Sequence, residues 1–463
     1  MKIKLSDLWQ WNGTIDRGPY VTLGVLLFAI KYNLDRFVAS FIFHRWWFLF
    51  DYLQPASDPR FISLLREDIL FYGILVLIAL PFIWSGIVLT LRRLRAIRLP
   101  LWFVGIFFIP FVNLLFFLLL SLLPSREESR DSLPAERRLQ KIMDRIIPDN
   151  PWGSAAMAIL LTSLLGIGMA WFGTVMLRNY GWGLFVGLPF CLGLIAVLLH
   201  SYHRQRSFSE CIAVSVCSVT LLAGFLLALA VEGVICLAMA APPALGLAIF
   251  GGWIGYLIQR CFKRRHEIPP VILALMMAFP FLMGTEYVSS PEPPLFTVRT
   301  TIEIDAPVEK VWHHVVSFSE LPPPHEWFFR AGIAYPTQAK IYGRGVGARR
   351  YCVFSTGSFI EPIEKWDEPR LLKFSVTVNP PPMEEWTPYS GIHPPHLNGF
   401  LVSRGGQFLL MPLAGDRTRL EGTTWYYHNM WPASYWQLWS DAIIHRIHRR
   451  VLNHVKFLSE QKT

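Results

Sequence analysis

Long apolar runs recur through the first three-fifths of the chain, and each is long enough to cross a bilayer, which takes about 20 residues of helix. Six read directly: Tyr20 to Phe43, Ile69 to Leu91, Leu99 to Leu123, Ser154 to Leu177, Tyr180 to Leu199 and Val271 to Tyr287. Cys211 to Ile258 is too long for one helix. A turn at Glu232-Gly233 divides it in two, with Pro242-Pro243 kinking the second half. Eight predicted spans result. Composition agrees, since 53% hydrophobic against 16% charged residues is far from a water-soluble average.

The first span carries Lys31, Asp35 and Arg36, which are costly against lipid. Lys31 and Asp35 stand one helical turn apart, so an ion pair near an interface accounts for them better than a buried ion site does. Asn113 and Glu232 read as packing or turn residues. Met1 to Gly18 lacks the apolar core and cleavage site of a signal peptide, so the first spans are expected to act as the targeting signal.

Of the net charge of +10, the stretch from Phe296 onward holds 18 Lys+Arg against 15 Asp+Glu, so most of the excess lies in short loops between spans. Cytoplasmic retention of basic loops explains this, and no nucleic-acid partner is expected. Leu91 to Arg98, Ser125 to Asn150, Ser201 to Glu210 and Gln259 to Glu267 are all basic-rich. With Gln259 to Glu267 inside and one span following, the C-terminal region is expected on the extracytoplasmic side. Leu139, Ile142, Met143, Ile146 and Ile147 give the Ser125 to Asn150 loop a helical apolar spacing, predicting an amphipathic helix at the membrane surface.

From Phe296 the character changes. Val298, Thr300, Ile302 and Ile304 alternate with polar residues, the period of a half-buried strand. Val308, Val311, Trp312, Val315 and Val316 then recur at helical spacing, with Pro307 suited to the first turn and Asp305 to its cap. Further strands are predicted at Gly347 to Phe354, Phe359 to Trp366, Leu371 to Val378, Gly406 to Leu413 and Arg417 to Tyr427. A final amphipathic helix follows over Ala433 to Glu460, its buried stripe formed by Trp436, Trp439, Ile443, Ile447, Val451, Val455 and Leu458. The expected organisation is a membrane region at 1–123 with three spans, a charged connector at 124–152, a second membrane region at 153–288 with five spans, a Pro-rich linker at 289–295 and a water-soluble domain at 296–463.

Two resemblances attach to these residues. Trp11, Gly13, Arg17, Tyr20, Arg92-Arg93-Leu94 and Trp102 resemble a family of small bacterial inner-membrane proteins of unknown function, with Arg95-Ala96 where that family has His-Asp. The resemblance implies a bacterial inner membrane and no chemistry. The stretch VRTTIEIDAPVEKVWHHVVSF, the strand DRTRLEGTTWYY and the long last helix resemble the START-like superfamily, which includes polyketide cyclase-like, Bet v 1-like and lipid-transfer domains. That resemblance implies a helix-grip α+β fold, a curved antiparallel sheet around the C-terminal helix with an apolar cavity between them. The whole chain is thus expected to be an α-helical multi-pass membrane region joined to a START-like domain.

Trp312, Trp327, Trp386, His393, His396, Trp425, Trp439 and Ile443 are the expected cavity or lid residues. The Pro-rich insertion Asn379 to Phe400 is too long for a hairpin and is expected to cover or line a pocket. His325, His393 and His396 lack an acidic or Cys partner at ligand spacing, so no metal is expected, nor any other cofactor. The glycine-rich GRGVGARR at Gly343 to Arg350 lacks the ending of a phosphate loop and reads as a hairpin. Asp441, His445 and His448 share one helical stripe beside Ser440, but adjacent residues of a helix point about 100° apart, which argues against a hydrolytic triad. No catalytic residue is assigned. Were the domain an enzyme, His445 or His448 would be the acid-base group.

The function expected is membrane-tethered binding or transfer of an apolar ligand, lipid or isoprenoid-like. Two alternatives are a cyclase-, dehydratase- or hydrolase-like enzyme on such a ligand, and a structural or regulatory membrane protein whose soluble domain binds another protein.

Overall fold

A computed structural model describes residues 8–47, 69–108, 112–123, 134–260, 268–289, 292–387 and 394–461. The chain divides into two units, one made of Met1–Leu226 and Ala240–Pro291, the other of Leu227–Met239 and Glu292–Thr463.

The first unit is helical. Among the described residues, five stretches are long and apolar enough to cross a membrane: Leu70–Ile97, Pro151–Met176, Gly183–His200, Phe208–Ala228 and Val234–Ile258. Three of the eight predicted spans fall outside this set. The first forms the helix Arg17–Phe37, which carries Lys31, Asp35 and Arg36 in its last two turns. Leu99 to Leu123 breaks into a 3₁₀ segment, Leu101–Phe108, and a short helix, Val112–Leu122, and Pro110 lies outside the described residues. Val271 to Tyr287 lies within the helix Ile268–Ser289, which contains Pro280. Lys31 and Asp35 form the expected ion pair, with Asp35 buried. The connector contains the expected helix, over Pro134–Ile146.

Small residues bring these helices together. A Cβ on Gly193 would lie 2.2 Å from the Ala248 carbonyl oxygen, and one on Gly251 would lie 2.1 Å from that of Phe190. Backbones therefore touch where a larger side chain would separate them, the close approach that compensates for the missing hydrophobic drive between helices in lipid. Hydroxyls complete the contacts: Ser215 Oγ donates to the Gly193 carbonyl at 3.1 Å and Ser163 Oγ to the Ser218 carbonyl at 3.0 Å. Arg93 is fully buried and holds backbone from three places, donating Nε to the Leu120 carbonyl at 2.9 Å, Nη1 to that of Ile15 at 3.1 Å and Nη2 to that of Leu123. At Leu120 and Leu123 it thereby satisfies carbonyls at the end of the helix Val112–Leu122 that have no partner within that helix.

The second unit is a seven-stranded antiparallel sheet gripping a long helix. Its strands are β1 (Phe296–Ile304), β2 (Pro336–Tyr342), β3 (Arg349–Phe354), β4 (Gly357–Asp367), β5 (Leu371–Ser375), β6 (Leu401–Leu413) and β7 (Arg417–His428). Their order across the sheet is β1-β7-β6-β5-β4-β3-β2. The C-terminal helix, Ala433–Glu460, packs on β1 and β7, and Leu372, Leu420, Leu452 and Val455 meet in the core between sheet and helix. Helix Val308–Val316 adds Val311, Trp312 and Val315 to that core.

Three local expectations change. Pro307, rather than Asp305, stands at the N-cap of Val308–Val316, and the Asp305 amide donates to Glu460 Oε1 at 2.8 Å. Strand β2 was not predicted: it is an edge strand with a register shift after Pro336, so burial along it does not alternate cleanly. On the C-terminal helix the buried stripe runs through Trp436, Ser440, Ile444, Val451, Leu452 and Val455, which leaves Trp439 exposed. Ser440 takes an inward place because its hydroxyl is bonded to Tyr426 Oη at 2.8 Å, so burying it strands no polar atom.

Candidate functional site

A cavity of about 140 Å³ lies between the sheet and the C-terminal helix. Phe354, Phe359, Phe374 and Phe408 come from the strands, and Ile443, Ile447 and Val451 from the helix. Strand alternation and helical periodicity bring these residues to one space, because β3 to β6 turn one face toward one side of the helix.

Arg350 and Glu361 lie in this wall as a fully buried ion pair on the neighbouring strands β3 and β4. The Arg350 guanidinium carbon stands 5.5 Å from the ring centroids of Phe374 and Phe408 and 5.7 Å from that of Phe318. Nε donates to the Val316 carbonyl at 3.3 Å and Nη1 to Glu361, while Nη2 has no oxygen or nitrogen acceptor and the guanidinium has only the weakly accepting Cys352 thiol as a further neighbour. Burial pushes the Glu361 carboxyl up from its ordinary range and the neighbouring Arg350 pulls it back down. A charged donor whose Nη2 lacks an oxygen or nitrogen acceptor at a mainly apolar wall is placed to receive one.

His448 lies on the opposite wall with both ring nitrogens engaged, Nδ1 with Thr300 Oγ1 at 3.0 Å and Nε2 with Thr424 Oγ1 at 2.7 Å. Burial holds its pKa down to about 4, with His445 adding to the shift. His445 shares Thr300 Oγ1 through Nδ1 at 2.7 Å. Neither histidine is held by Asp441, which accepts from Tyr426 Oη at 2.5 Å and from Gln437 at 3.1 Å. Ser440, Asp441 and Tyr426 therefore form their own network, in which burial and the Asp441 carboxylate push the Tyr426 phenol well above its ordinary value.

The other expected cavity residues are distributed as follows. Ile443 lines the cavity, and Trp312 sits in the core with its ring 5.6 Å from that of Trp366. Trp425 lies outside the cavity lining, 5.6 Å from the Lys373 ammonium. Trp327, Trp386 and Trp439 are 78%, 67% and 37% exposed, and none reaches the cavity wall. His393 lies outside the described residues. The insertion contributes to the cavity at its first end. Asn379 and Pro380 to Pro382 line the cavity, and Asn379 is pinned by a reciprocal pair of hydrogen bonds with Ser403 at 2.8 and 3.2 Å.

Further along, the insertion brings His396 to a second, separate cluster with Glu232, Cys236 and Glu385, all in this same unit. His396 is buried on a short 3₁₀ turn, Pro395–Leu397, and desolvation lowers its pKa to about 4. Glu232 and Cys236 follow one another across the turn that opens the helix Val234–Ile258. The sequence offered no signal for this cluster, because its members come from a membrane-like hairpin and from a loop more than a hundred residues later.

No family model matches the chain, and comparison with curated proteins gives no match. Among solved structures, the C-terminal part is similar to a protein from Nitrosospira multiformis at 20% identity, covering 36% of this chain and 97% of that one with a TM-score of 0.24. Norcoclaurine synthase from Thalictrum flavum matches at 12% identity over 37% of this chain and 98% of its own, with a TM-score of 0.24. The ZhuI aromatase/cyclase from Streptomyces sp. R1128 matches at 15% over 36% and 94%, also with a TM-score of 0.24. These likenesses concern the fold, and no activity passes from them to this chain.

Proposed function

We propose that the C-terminal domain binds a small, mainly apolar molecule carrying one hydrogen-bond acceptor, with the apolar part among Phe374, Phe408 and Ile447 and the acceptor at Arg350. The observation that carries this reading is the unspent Nη2 of a fully buried arginine at the wall of an apolar cavity. A buried donor without a partner costs about 1–3 kcal/mol, a debt that a bound acceptor removes. Size narrows the class. A cavity near 150 Å³ accommodates a molecule about as large as benzene, whereas drug-sized ligands occupy roughly 300–1,000 Å³. At about 140 Å³ the cavity suits a single ring or a short chain, and a lipid or isoprenoid tail would require the insertion at Asn379 to Pro382 to move.

Binding is favoured over catalysis by the state of His448. With a pKa of about 4 it is neutral near pH 7, a weak base far from the matched value that proton transfer needs, and both its nitrogens are already engaged.

Native mass spectrometry of the full-length protein, released from detergent after exposure to single-ring carboxylic acids, phenols and ketones, tests the reading. One retained adduct is expected, lost in Ile447→Trp, which fills the cavity, and weakened in Arg350→Met. Absence of any adduct across the panel, or an adduct indifferent to both substitutions, would refute it.

A further inference from the structure

The cluster at Glu232, Cys236, His396 and Glu385 has a composition unlike any other group of polar side chains described in this chain. Cys236 Sγ stands 2.8 Å from His396 Nε2, Glu232 Oε2 stands 3.5 Å from His396 Nδ1, and Glu385 Oε1 stands 3.9 Å from His396 Nε2. Donor atoms of Glu232, Cys236 and His396 all lie within 4.8 Å of one another. We propose that these four residues form a binding site for a zinc-like transition-metal ion.

The independent observation is Glu385. Its side chain is fully buried against the first turn of the helix Val234–Ile258, with the Ile235 and Cys236 amides and the Cys236 thiol beside it, and among the described residues no Lys or Arg neutralises it. A buried carboxylate in that position is stable when neutralised or bound to a cation, and the adjacent thiol and imidazole are the groups a cation would share with it. The backbone is arranged to admit it. A Cβ on Gly233 would fall 1.9 Å from Glu385 Oε2, so only glycine leaves room there, and the Val234 amide donates to the Trp386 carbonyl at 3.0 Å, tying the two segments side by side. Gly332, at φ +124°, lets the Glu384 carbonyl pass where a Cβ would meet it at 2.1 Å.

Chemistry selects the ion. Thiolate, imidazole and carboxylate together suit zinc or cobalt, whereas calcium and magnesium take all-oxygen sites. Zinc bonds of about 2.0–2.3 Å put tetrahedral donors roughly 3.3–3.7 Å apart. Glu385 Oε1, at 3.9 Å from His396 Nε2, stands a few tenths of an ångström outside that scale, and Cys236 would move back from His396 by about 0.7 Å, both within reach of side-chain rotation. One imidazole gives one nitrogen to an ion. Nε2 faces Cys236 and Glu385, and Nδ1 faces Glu232, so Glu385 is the carboxylate ligand and Glu232 orients the ring from behind, as carboxylates commonly do for metal-bound histidines. The ion would clasp the insertion to the Leu227–Met239 segment and is independent of any ligand in the cavity.

The test uses the full-length protein in detergent, stripped with chelator and titrated with zinc or cobalt(II). About one zinc ion per chain is expected by elemental analysis, with a sulfur-to-cobalt charge-transfer band in the near ultraviolet and protection of Cys236 from alkylation. The band should vanish in Cys236→Ser and persist in Cys217→Ser. Glu385→Gln should abolish uptake, while Glu232→Gln should weaken it roughly 10–100-fold. Zinc below a tenth of an ion per chain in the unmutated protein, or a band that survives Cys236→Ser, overturns the proposal. Because the unmutated chain decides the first point, a variant that fails to fold leaves the question answered.

Discussion

Two fully buried arginines, one in each unit, show how differently the two halves of this protein use the same side chain. In the helical unit Arg93 gives Nε, Nη1 and Nη2 to three backbone carbonyls and works as a three-way clasp. In the sheet unit Arg350 gives Nη1 to Glu361 and Nε to Val316, surrounds itself with three phenylalanine rings, and keeps Nη2 in reserve at a cavity wall. The difference teaches where function resides. A buried charge that spends each of its nitrogens on backbone carbonyls holds a fold together, and one that leaves a nitrogen without an oxygen acceptor beside a space marks a place for something else to bind.

The contrast breaks most sharply at Arg93. Arg93→Met leaves three carbonyls of the helical unit without donors, and a loss of about 3–5 kcal/mol is expected, seen as a collapse in yield of folded protein and in Tm in detergent. Glu361→Gln leaves the Arg350 charge uncompensated and should cost about 3 kcal/mol, whereas the pair Arg350→Met with Glu361→Leu should be close to neutral in stability while ligand retention disappears. That separation of stability from binding is what the comparison requires. If the double variant binds ligand normally, Arg350 is as purely structural as Arg93.

Packing offers a smaller lever. Gly193→Ala places a methyl group against the Ala248 carbonyl and should cost about 1–3 kcal/mol, measured as a lower Tm, with no effect on ligand retention in the other unit.

Acid should act on the sheet unit. Burial lowers the pKa values of His428 and His448 to about 4, below the ordinary value near 6.5. The unfolded chain therefore takes up these protons first as pH falls. The stability these neutral histidines contribute is fully present above about pH 6.5 and is lost progressively down to about pH 4, with a slope near 1.4 kcal/mol per pH unit for each. Urea melts from pH 7 to pH 4.5 check this, and His448→Asn should flatten the slope by about one proton. The smallest effect is expected at Trp425. Outside the cavity lining and against Lys373, Trp425→Phe should change stability by about 0.5 kcal/mol and leave binding untouched.

Much of this architecture was legible in order along the chain. Apolar length marked the helices, because satisfying every backbone group within lipid leaves little choice but helix. Period-two alternation over Phe296 to Ile304 and helical spacing over Ala433 to Glu460 marked the ends of the sheet unit, since the pleat and the helix turn impose those periods on any sequence that buries one face. Even the Lys31–Asp35 pair followed from spacing alone. Strand β2 escaped because an edge strand with a bulge need not alternate, and in the stripe of the last helix Trp439 was placed where Ser440 stands because Trp439 is the more apolar, while Ser440 finds a partner in Tyr426; Trp436, Val451 and Val455 lie in the stripe as expected.

What the sequence by itself determined is the kind of each element, because local periodicity and apolar length act within one turn of helix or one strand pair. What only the tertiary structure decided is which polar atoms meet. Arg350 was read as part of a glycine-rich hairpin, and it became half of a buried pair with Glu361 at a cavity when β3 and β4 paired. His396 was a histidine without an acidic or Cys partner at ligand spacing until folding brought Cys236, Glu232 and Glu385 to it. Periodicity carries no record of such meetings, because the distance between two side chains in space is set by the whole path of the chain between them.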